Sequence, residues 1–572
     1  MRTAIRSLAW FLAVASFAAA ATAAENAAKG AAPPAKSPNE ARLAWWRGAR
    51  FGMFIHWGPV SLKGTEIGWS RGAPIPIAEY DNLYKQFNPV KFNADQWVKI
   101  AKDAGMKYMV FTTKHHDGFV MFGSKQTEHN IMNSPFGRDV VKELSEACRK
   151  QGIAFGTYYS VCDWHHPDFP FGSPGGSTKK PRPDLDRYEQ YLRKQVEELV
   201  RNYGPLSTLW FDVAQGFDAK RGKGVVDFVR ALQPDILVNN RCADPGDYDT
   251  PEQTVGTFHF DRPWETCMTI CNQWAWRPDD PMKSLQQCIQ TLVRCAGGDG
   301  NLLFNVGPMP TGEIEPRQVE RLRQMGAWLA KYGESIYGTR GGPFKPNRQI
   351  ASTRKGNSVY VHVLKWEGDC VVLPPLPKKI VASSVLTGGT AVVTQNDHEI
   401  AFTIAKPQRQ EIDTIVKLEL DGPALDIRPV SLPTSIKATA SNVFQHMDDY
   451  APEMAFDGEP GTRWATDGGT KHAWIAIDLG KPLTVEGVKI EEEFPGRVEK
   501  FELQSKDGAE WKTFFSGAGL GHFSRTFPPV TARHFRLNIL QANEGPTISE
   551  IHWIEGGVRG TGALIDERRR LW

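Results

Sequence analysis

Leu206-Ser207-Thr208-Leu209-Trp210-Phe211-Asp212 is a short apolar run that stops on one carboxylate. Gly204-Pro205 precede it and Gly216 follows, so its length and flanks fit a buried parallel strand better than a helix. Asp212 then stands at the strand's C-terminal mouth, where the loops of a closed ring of parallel strands build a concave site on a rigid frame. The plainer reading makes Asp212 the cap of the next helix.

Outward from this run, strand and helix alternate from Phe51 to about Gly338. Further strands are expected at Phe51 to Trp57, Tyr108 to Lys114, Ala154 to Ser160, Ile236 to Asn240, Thr266 to Ile270 and Asn301 to Val306. Amphipathic helical stretches lie between them, for example Ala94 to Asp103, Asp186 to Asn202 and Pro316 to Lys331. Such alternation predicts an irregular TIM-like (β/α) barrel over residues 40–340, in which one strand of eight escapes notice. An open doubly wound sheet is the rival, but no GxGxxG opens a helix after the first strand.

Past Gly341-Gly342-Pro343 the pattern shortens to alternating segments, predicting a small β-sandwich over residues 341–425. A Pro-containing linker leads to a second all-β unit over 435–556, and 557–572 reads as a polar tail. At the other end, Arg2 and Arg6, the apolar run Leu8 to Phe17 and Ala21-Thr22-Ala23-Ala24 have the order of an export signal over residues 1–24. Residues 25–39, rich in Ala, Pro and Lys, read as a disordered lead-in. Periplasmic or extracellular residence is therefore expected, and no later window is apolar enough for a transmembrane segment.

A formal charge of +3 on 572 residues points away from nucleic acid as a partner. Tryptophan is plentiful, with 18 copies, and flat aromatic faces suit clefts that stack on sugar rings. The eight cysteines include no CxxC pair, which argues against a structural zinc site. Buried free thiols are the expectation, with no pairing readable.

Each expected barrel strand carries polar groups at one end. These are His56, then Lys114-His115-His116-Asp117, Tyr158 to Ser160, Asp212, Asn239-Asn240-Arg241, and Trp264-Glu265 before the sixth. Imidazoles, a tyrosine, an arginine and carboxylates around one cavity, with Trp57, Trp69, Phe119 and Trp264 beside them, suit a neutral polyhydroxylated ligand. A metal site built from His115, His116, Asp117 and Asp212 is the alternative, and it requires the strand pleat to break, because neighbours on a strand face opposite ways. Cleavage of a sugar needs two carboxyls. Asp212 is the expected nucleophile, with Glu265 or Glu252 as acid/base and a slight preference for Glu265, whose neighbour Trp264 would raise its pKa.

Phe54-Ile55-His56-Trp57-Gly58, Lys114-His115-His116-Asp117-Gly118-Phe119, Tyr158-Tyr159-Ser160, Leu209-Trp210-Phe211-Asp212 and Gly300-Asn301-Leu302-Leu303-Phe304-Asn305-Val306-Gly307-Pro308 together resemble the α-L-fucosidases of glycoside hydrolase family 29. The resemblance runs in order from about residue 40 to 425 and implies an exo-acting, retaining hydrolase of terminal α-L-fucose on glycans or glycoconjugates. It carries the nucleophile to Asp212 and the fucose contacts to His56, Trp69, His115, His116, Tyr158 and Arg241, and leaves Glu252 and Glu265 both open. It requires no cofactor for catalysis. Two other functions are alternatives: an inactive carbohydrate-binding protein, and a metal-dependent hydrolase on the same barrel.

Ala455-Phe456-Asp457-Gly458-Glu459-Pro460-Gly461-Thr462-Arg463-Trp464 and Trp474-Ile475-Ala476-Ile477-Asp478-Leu479-Gly480 resemble the paired motifs of a discoidin-type β-sandwich, a jelly roll of the coagulation factor 5/8 C type. Modules of that type often hold a structural calcium, and the resemblance carries its oxygens to Asp457, Thr462 and Glu550.

Overall fold

The computed structural model describes residues 38–174, 179–255, 258–366, 368–430, 432, 437–447, 450–457 and 462–555. The export signal expected over 1–24, most of the expected lead-in and the expected tail lie outside them.

Seven parallel strands form the first sheet. They are β1 (Phe51–Ile55), β2 (Tyr108–Lys114), β3 (Ala154–Ser160), β4 (Thr208–Asp212), β5 (Leu237–Val238), β6 (Glu265–Thr269) and β7 (Asn301–Val306). Their order is β5-β4-β3-β2-β1-β7-β6, so the sheet curls with β1 between β2 and β7. Almost every strand residue is buried, because helices cover the outer face and side chains fill the inside. That is why the strands read as continuous apolar runs.

Six helices alternate with the strands: α1 (Ala94–Asp103), α2 (Val140–Gln151), α3 (Leu185–Tyr203), α4 (Ala219–Leu232), α5 (Leu285–Gly297) and α6 (Pro316–Tyr332). Asn93, Asp139, Asp184, Asp218 and Ser284 cap the first five, each accepting a backbone N–H of the first turn. Since α4 is capped by Asp218, the capping alternative for Asp212 falls away.

The strand that the sequence hid lies between β5 and β6. Tyr248 to Gln253 runs parallel to both neighbours through single bridges, Asn239 to Tyr248, Asp249 to Trp264 and Glu252 to Cys267. Glu265 N–H donates to Asp249 O at 2.9 Å, and Gln253 N–H to Cys267 O at 2.9 Å. Pro251 has no N–H, so the ladder breaks into isolated bridges.

Eight strands follow, β8 (Arg340–Gly341), β9 (Ile350–Lys355), β10 (Ser358–Val363), β11 (Cys370–Leu373), β12 (Ile380–Val385), β13 (Ala391–Gln395), β14 (Ile400–Ile404) and β15 (Thr414–Leu420). They form antiparallel sheets of five and three strands around a core that includes Val361, Phe402 and Leu418. Gln290 on α5 donates to Leu364 O and Ile412 O, both at 2.8 Å, and ties the barrel to this layer.

The last sheet holds β16 (Lys437–Ala440), β17 (Trp464–Ala465), β18 (Ala473–Glu492), β19 (Val498–Asp507), β20 (Glu510–Ala518), β21 (His522–Ala542) and β22 (Thr547–Glu555). Trp464 is buried in its core and donates to Asn442 O at 2.9 Å. Seven of the eight cysteines are buried and Cys370 is exposed, all as free thiols.

Candidate active site

Asp212 is the last residue of β4 and is buried at the mouth of the barrel. Tyr158, beside it on β3, donates to Oδ2 at 2.8 Å, and Arg241 Nη1 donates to Oδ1 at 3.0 Å. The backbone N–H of Val213 also reaches Oδ1, from a residue held at φ 45°. A β-branched residue in the left-handed region is strained, and such strain gathers at functional sites. Burial alone would raise the Asp212 carboxyl, but His116, Arg241 and Tyr158 outweigh it and hold the pKa below the usual value.

Three imidazoles line the same cavity. β2 ends at Lys114, and the turn that follows breaks the pleat, so the rings of His115 and His116 lie 4.0 Å apart. His116 pairs with Ser160 Oγ through Nδ1 at 2.7 Å and leaves Nε2 3.7 Å from Asp212 Oδ2, beyond hydrogen-bonding reach and open to a sugar hydroxyl. His115 stacks on Tyr158 at 5.5 Å and 9°, and its buried Nδ1 has no hydrogen-bond partner.

His56 meets Asn305 Oδ1 through Nδ1 at 2.7 Å, while Asn305 Nδ2 donates to Trp274 O. That orientation of the amide puts the His56 proton on Nδ1 and leaves Nε2 as an acceptor. Burial lowers His56 to about 4 against the opposing pull of Asn305 and Asp212. His116 is likewise lowered to about 4 by burial, against Asp212. Both rings are therefore neutral at pH 7 and suited to hydroxyl groups.

Trp69 stands at the rim, 47% exposed, with its edge toward His116 and Trp164. Arg241 follows β5, and the same Nη1 that holds Asp212 lies 2.7 Å from Glu252 Oε2. Thr250 fixes the rest of the guanidinium through Oγ1 and its carbonyl. Glu252 thus reaches the mouth from the bridging segment, with its side chain 42% exposed.

Glu265 is placed elsewhere, which corrects the preference drawn from sequence. It is the first residue of β6, so it lies at the opposite end of the barrel from the mouth, fully buried. Oε2 accepts from the Tyr108 hydroxyl and Oε1 from Trp210 Nε1 at 3.2 Å. Neither oxygen is open to a substrate. Trp264 is corrected for the same reason: it is 2% exposed, donates to Gly298 O, and packs where any Cβ on Gly300 would fall 2.3 Å from its ring. Trp57 and Phe119 also turn away from the cavity, Trp57 onto Phe87, Phe92 and Trp97, and Phe119 onto Tyr84 and His129.

Three residues escaped the reading of the sequence. Asn305 is the penultimate residue of β7 and follows the same polar-end rule as its neighbours. Trp274 follows β6 and packs on His56 with ring centroids 4.8 Å apart. Glu66 accepts the N–H groups of Trp274 and Ala275 at 2.9 and 3.1 Å and so anchors that loop. No periodic signal marks either of these two.

Among the described residues no group of three or more His, Cys, Asp or Glu side chains is placed to hold a metal ion. In the C-terminal sheet the Thr462 hydroxyl lies 2.9 Å from Asp457 Oδ1. Glu550 lies on β22, two residues beyond Ile548, which pairs with Trp464 of β17.

The alpha-L-fucosidase family model matches residues 18–334, and the F5/8 type C domain model matches 437–553. Human plasma alpha-L-fucosidase is 32% identical over 379 residues, covering 60% of this chain and 80% of that protein. Alpha-L-fucosidase isoenzyme 1 from Paenibacillus thiaminolyticus superposes with a TM-score of 0.63 at 33% identity, over 67% of this chain and 99% of that one. A family 29 alpha-L-fucosidase from Bacteroides thetaiotaomicron, a Glu-to-Gln variant trapped as a covalent intermediate with 2-fluoro-fucosyl fluoride, matches at 26% identity and a TM-score of 0.61, over 69% and 99%. With its curled parallel barrel, its antiparallel layer and its C-terminal sheet, this chain belongs to the α-L-fucosidases of glycoside hydrolase family 29 and carries an F5/8 type C module.

Proposed function

We propose that the barrel removes terminal α-L-fucose from glycans or glycoconjugates with retention of configuration, Asp212 acting as nucleophile and Glu252 as acid/base. The observation that carries this reading is the shared nitrogen of Arg241, 3.0 Å from one carboxylate and 2.7 Å from the other. The nearest oxygens of the pair are thus less than about 6 Å apart, which favours the short spacing of retaining enzymes over the wide gap that inverting enzymes leave for water. A covalent intermediate in the Bacteroides relative fits the same scheme.

In the first step an Asp212 oxygen bonds to the anomeric carbon as the glycosidic C–O bond breaks, and Glu252 gives its proton to the departing oxygen. In the second, Glu252 takes a proton from water, whose oxygen displaces Asp212 and frees fucose. Glu252 shares Arg241 Nη1 with Asp212 and gives up that contact when its carboxyl turns to the glycosidic oxygen. His56, His115, His116 and Tyr158 hold the hydroxyls, Arg241 and Trp69 complete the fucose site, and Trp69 stacks at the rim.

Export by the amino-terminal signal brings the enzyme to glycans outside the cytoplasm. Asp457, Thr462 and Glu550 offer only oxygen donors and would hold calcium in the module, where the ion would brace loops rather than take part in the reaction. The deciding experiment is Asp212→Ala with an aryl α-L-fucoside. Turnover should nearly vanish, and azide should restore some of it while yielding the inverted glycosyl azide. A wild-type rate in that variant refutes the assignment.

A further inference from the structure

We infer that Glu265 is a positioning residue for the reaction, acting on the Asp212 carboxylate through the indole of Trp210. The inference rests on Asp212 as nucleophile. It starts from a buried carboxylate at the wrong end of the barrel for proton transfer, with both oxygens committed.

Its anchor is built across three strands. Tyr108 at the start of β2 reaches Glu265 Oε2 because Gly52 on β1 leaves room: a Cβ there would lie 2.4 Å from the Tyr108 ring. Asn301 at the start of β7 donates to Trp46 O at 2.9 Å and approaches the Tyr108 hydroxyl at 3.4 Å. Glu265 Oε1, fixed from below, takes the only polar atom of Trp210.

The Trp210 indole is the floor beneath both side chains that hold Asp212. Tyr158 stacks on it at 5.6 Å and 20°, and the Arg241 guanidinium carbon lies 4.9 Å from its centroid. Phe54 closes a further side at 5.2 Å. Stacking and cation–π contacts hold faces together but let them slide, whereas one hydrogen bond to Nε1 sets where the ring lies in its plane. Loss of that bond lets Tyr158 and Arg241 drift, and a shift of about 1 Å in such groups can cost on the order of a hundredfold in rate. Burial also pushes the Glu265 pKa up to about 7, against its bonds from Tyr108 and Trp210.

The full chain is assayed as Glu265→Gln, Glu265→Leu and Trp210→Phe on aryl fucosides with a good and a poor leaving group. Glu265→Gln keeps an oxygen for Trp210 and should stay within a few-fold of wild type on both. Glu265→Leu and Trp210→Phe should each lose roughly tenfold to a hundredfold in kcat, equally for both leaving groups, with KM little changed. The acidic limb of kcat/KM should move to higher pH, because Asp212 loses well-placed donors. The double variant should be no worse than the poorer single one. Wild-type kinetics in folded Trp210→Phe, a fall in kcat with an unmoved acidic limb, or an azide-rescued loss confined to the poor leaving group in Glu265→Gln would each overturn the inference. If the Asp212→Ala control keeps full activity, the nucleophile assignment itself has failed, which is a separate result.

Discussion

The Tyr158 hydroxyl donates to Asp212 Oδ2 over 2.8 Å. A neutral donor on an ionised acceptor is worth about 1.5–3 kcal/mol, and here it stabilises the charged form of the carboxylate proposed as nucleophile. Tyr158→Phe should therefore lower kcat by roughly tenfold to a hundredfold. It should also move the acidic limb of kcat/KM upward, since Asp212 without this donor holds its proton to higher pH. A pH–rate profile checks both.

Glu252 and Glu265 are separated by their environments, and their variants should differ accordingly. Glu252→Ala should retain much of its turnover on a substrate with a highly activated leaving group. It should lose about a hundredfold to ten-thousandfold on a poor one, the range of general acid catalysis. Azide should accelerate the good substrate and give a glycosyl azide of retained configuration. Product analysis by NMR distinguishes this from the inverted azide expected of Asp212→Ala.

His56 and His116, each lowered to about 4, should leave their signature below neutrality. Their folded pKa values lie below the unfolded value of about 6.5, so the stability they contribute is present above that pH and is lost as pH falls toward 4. The thermal midpoint of wild type should decline across that window, and His116→Asn should flatten the decline. KM should stay level from about pH 6 to 8 and rise only as the imidazoles take up protons.

Calcium in the module has a readout apart from activity. Chelation should lower the thermal midpoint of the C-terminal transition while leaving aryl fucoside turnover unchanged, and Asp457→Ala should abolish that response. Identical melting curves with and without chelator in wild type would dismiss the ion.

The barrel was legible because seven strands are apolar enough to be read one by one, and because their ends carry polar groups in a common direction. The bridging segment was illegible for a physical reason: Asp247, Asp249, Thr250 and Pro251 give it neither alternation nor a continuous ladder. Glu265 misled through direction. It stands before its strand, and in a parallel barrel the residue before a strand lies at the end away from the mouth, whatever its neighbour does to its pKa. Trp274 and Glu66 meet only through tertiary packing of loops that follow β6 and β1, which no local pattern encodes.

The segment from Tyr248 to Gln253 is a loose stave of the cask, fastened at three points where β1 to β4, β6 and β7 are fastened along their length. Because Glu252 rides on it, reshaping that stave beyond Thr250 would alter the side from which the proposed acid reaches the leaving group, while the backbone of Asp212 stays anchored on continuous neighbours. Diversification of linkage preference thus has a natural place to occur, bounded by the hold that Thr250 keeps on Arg241.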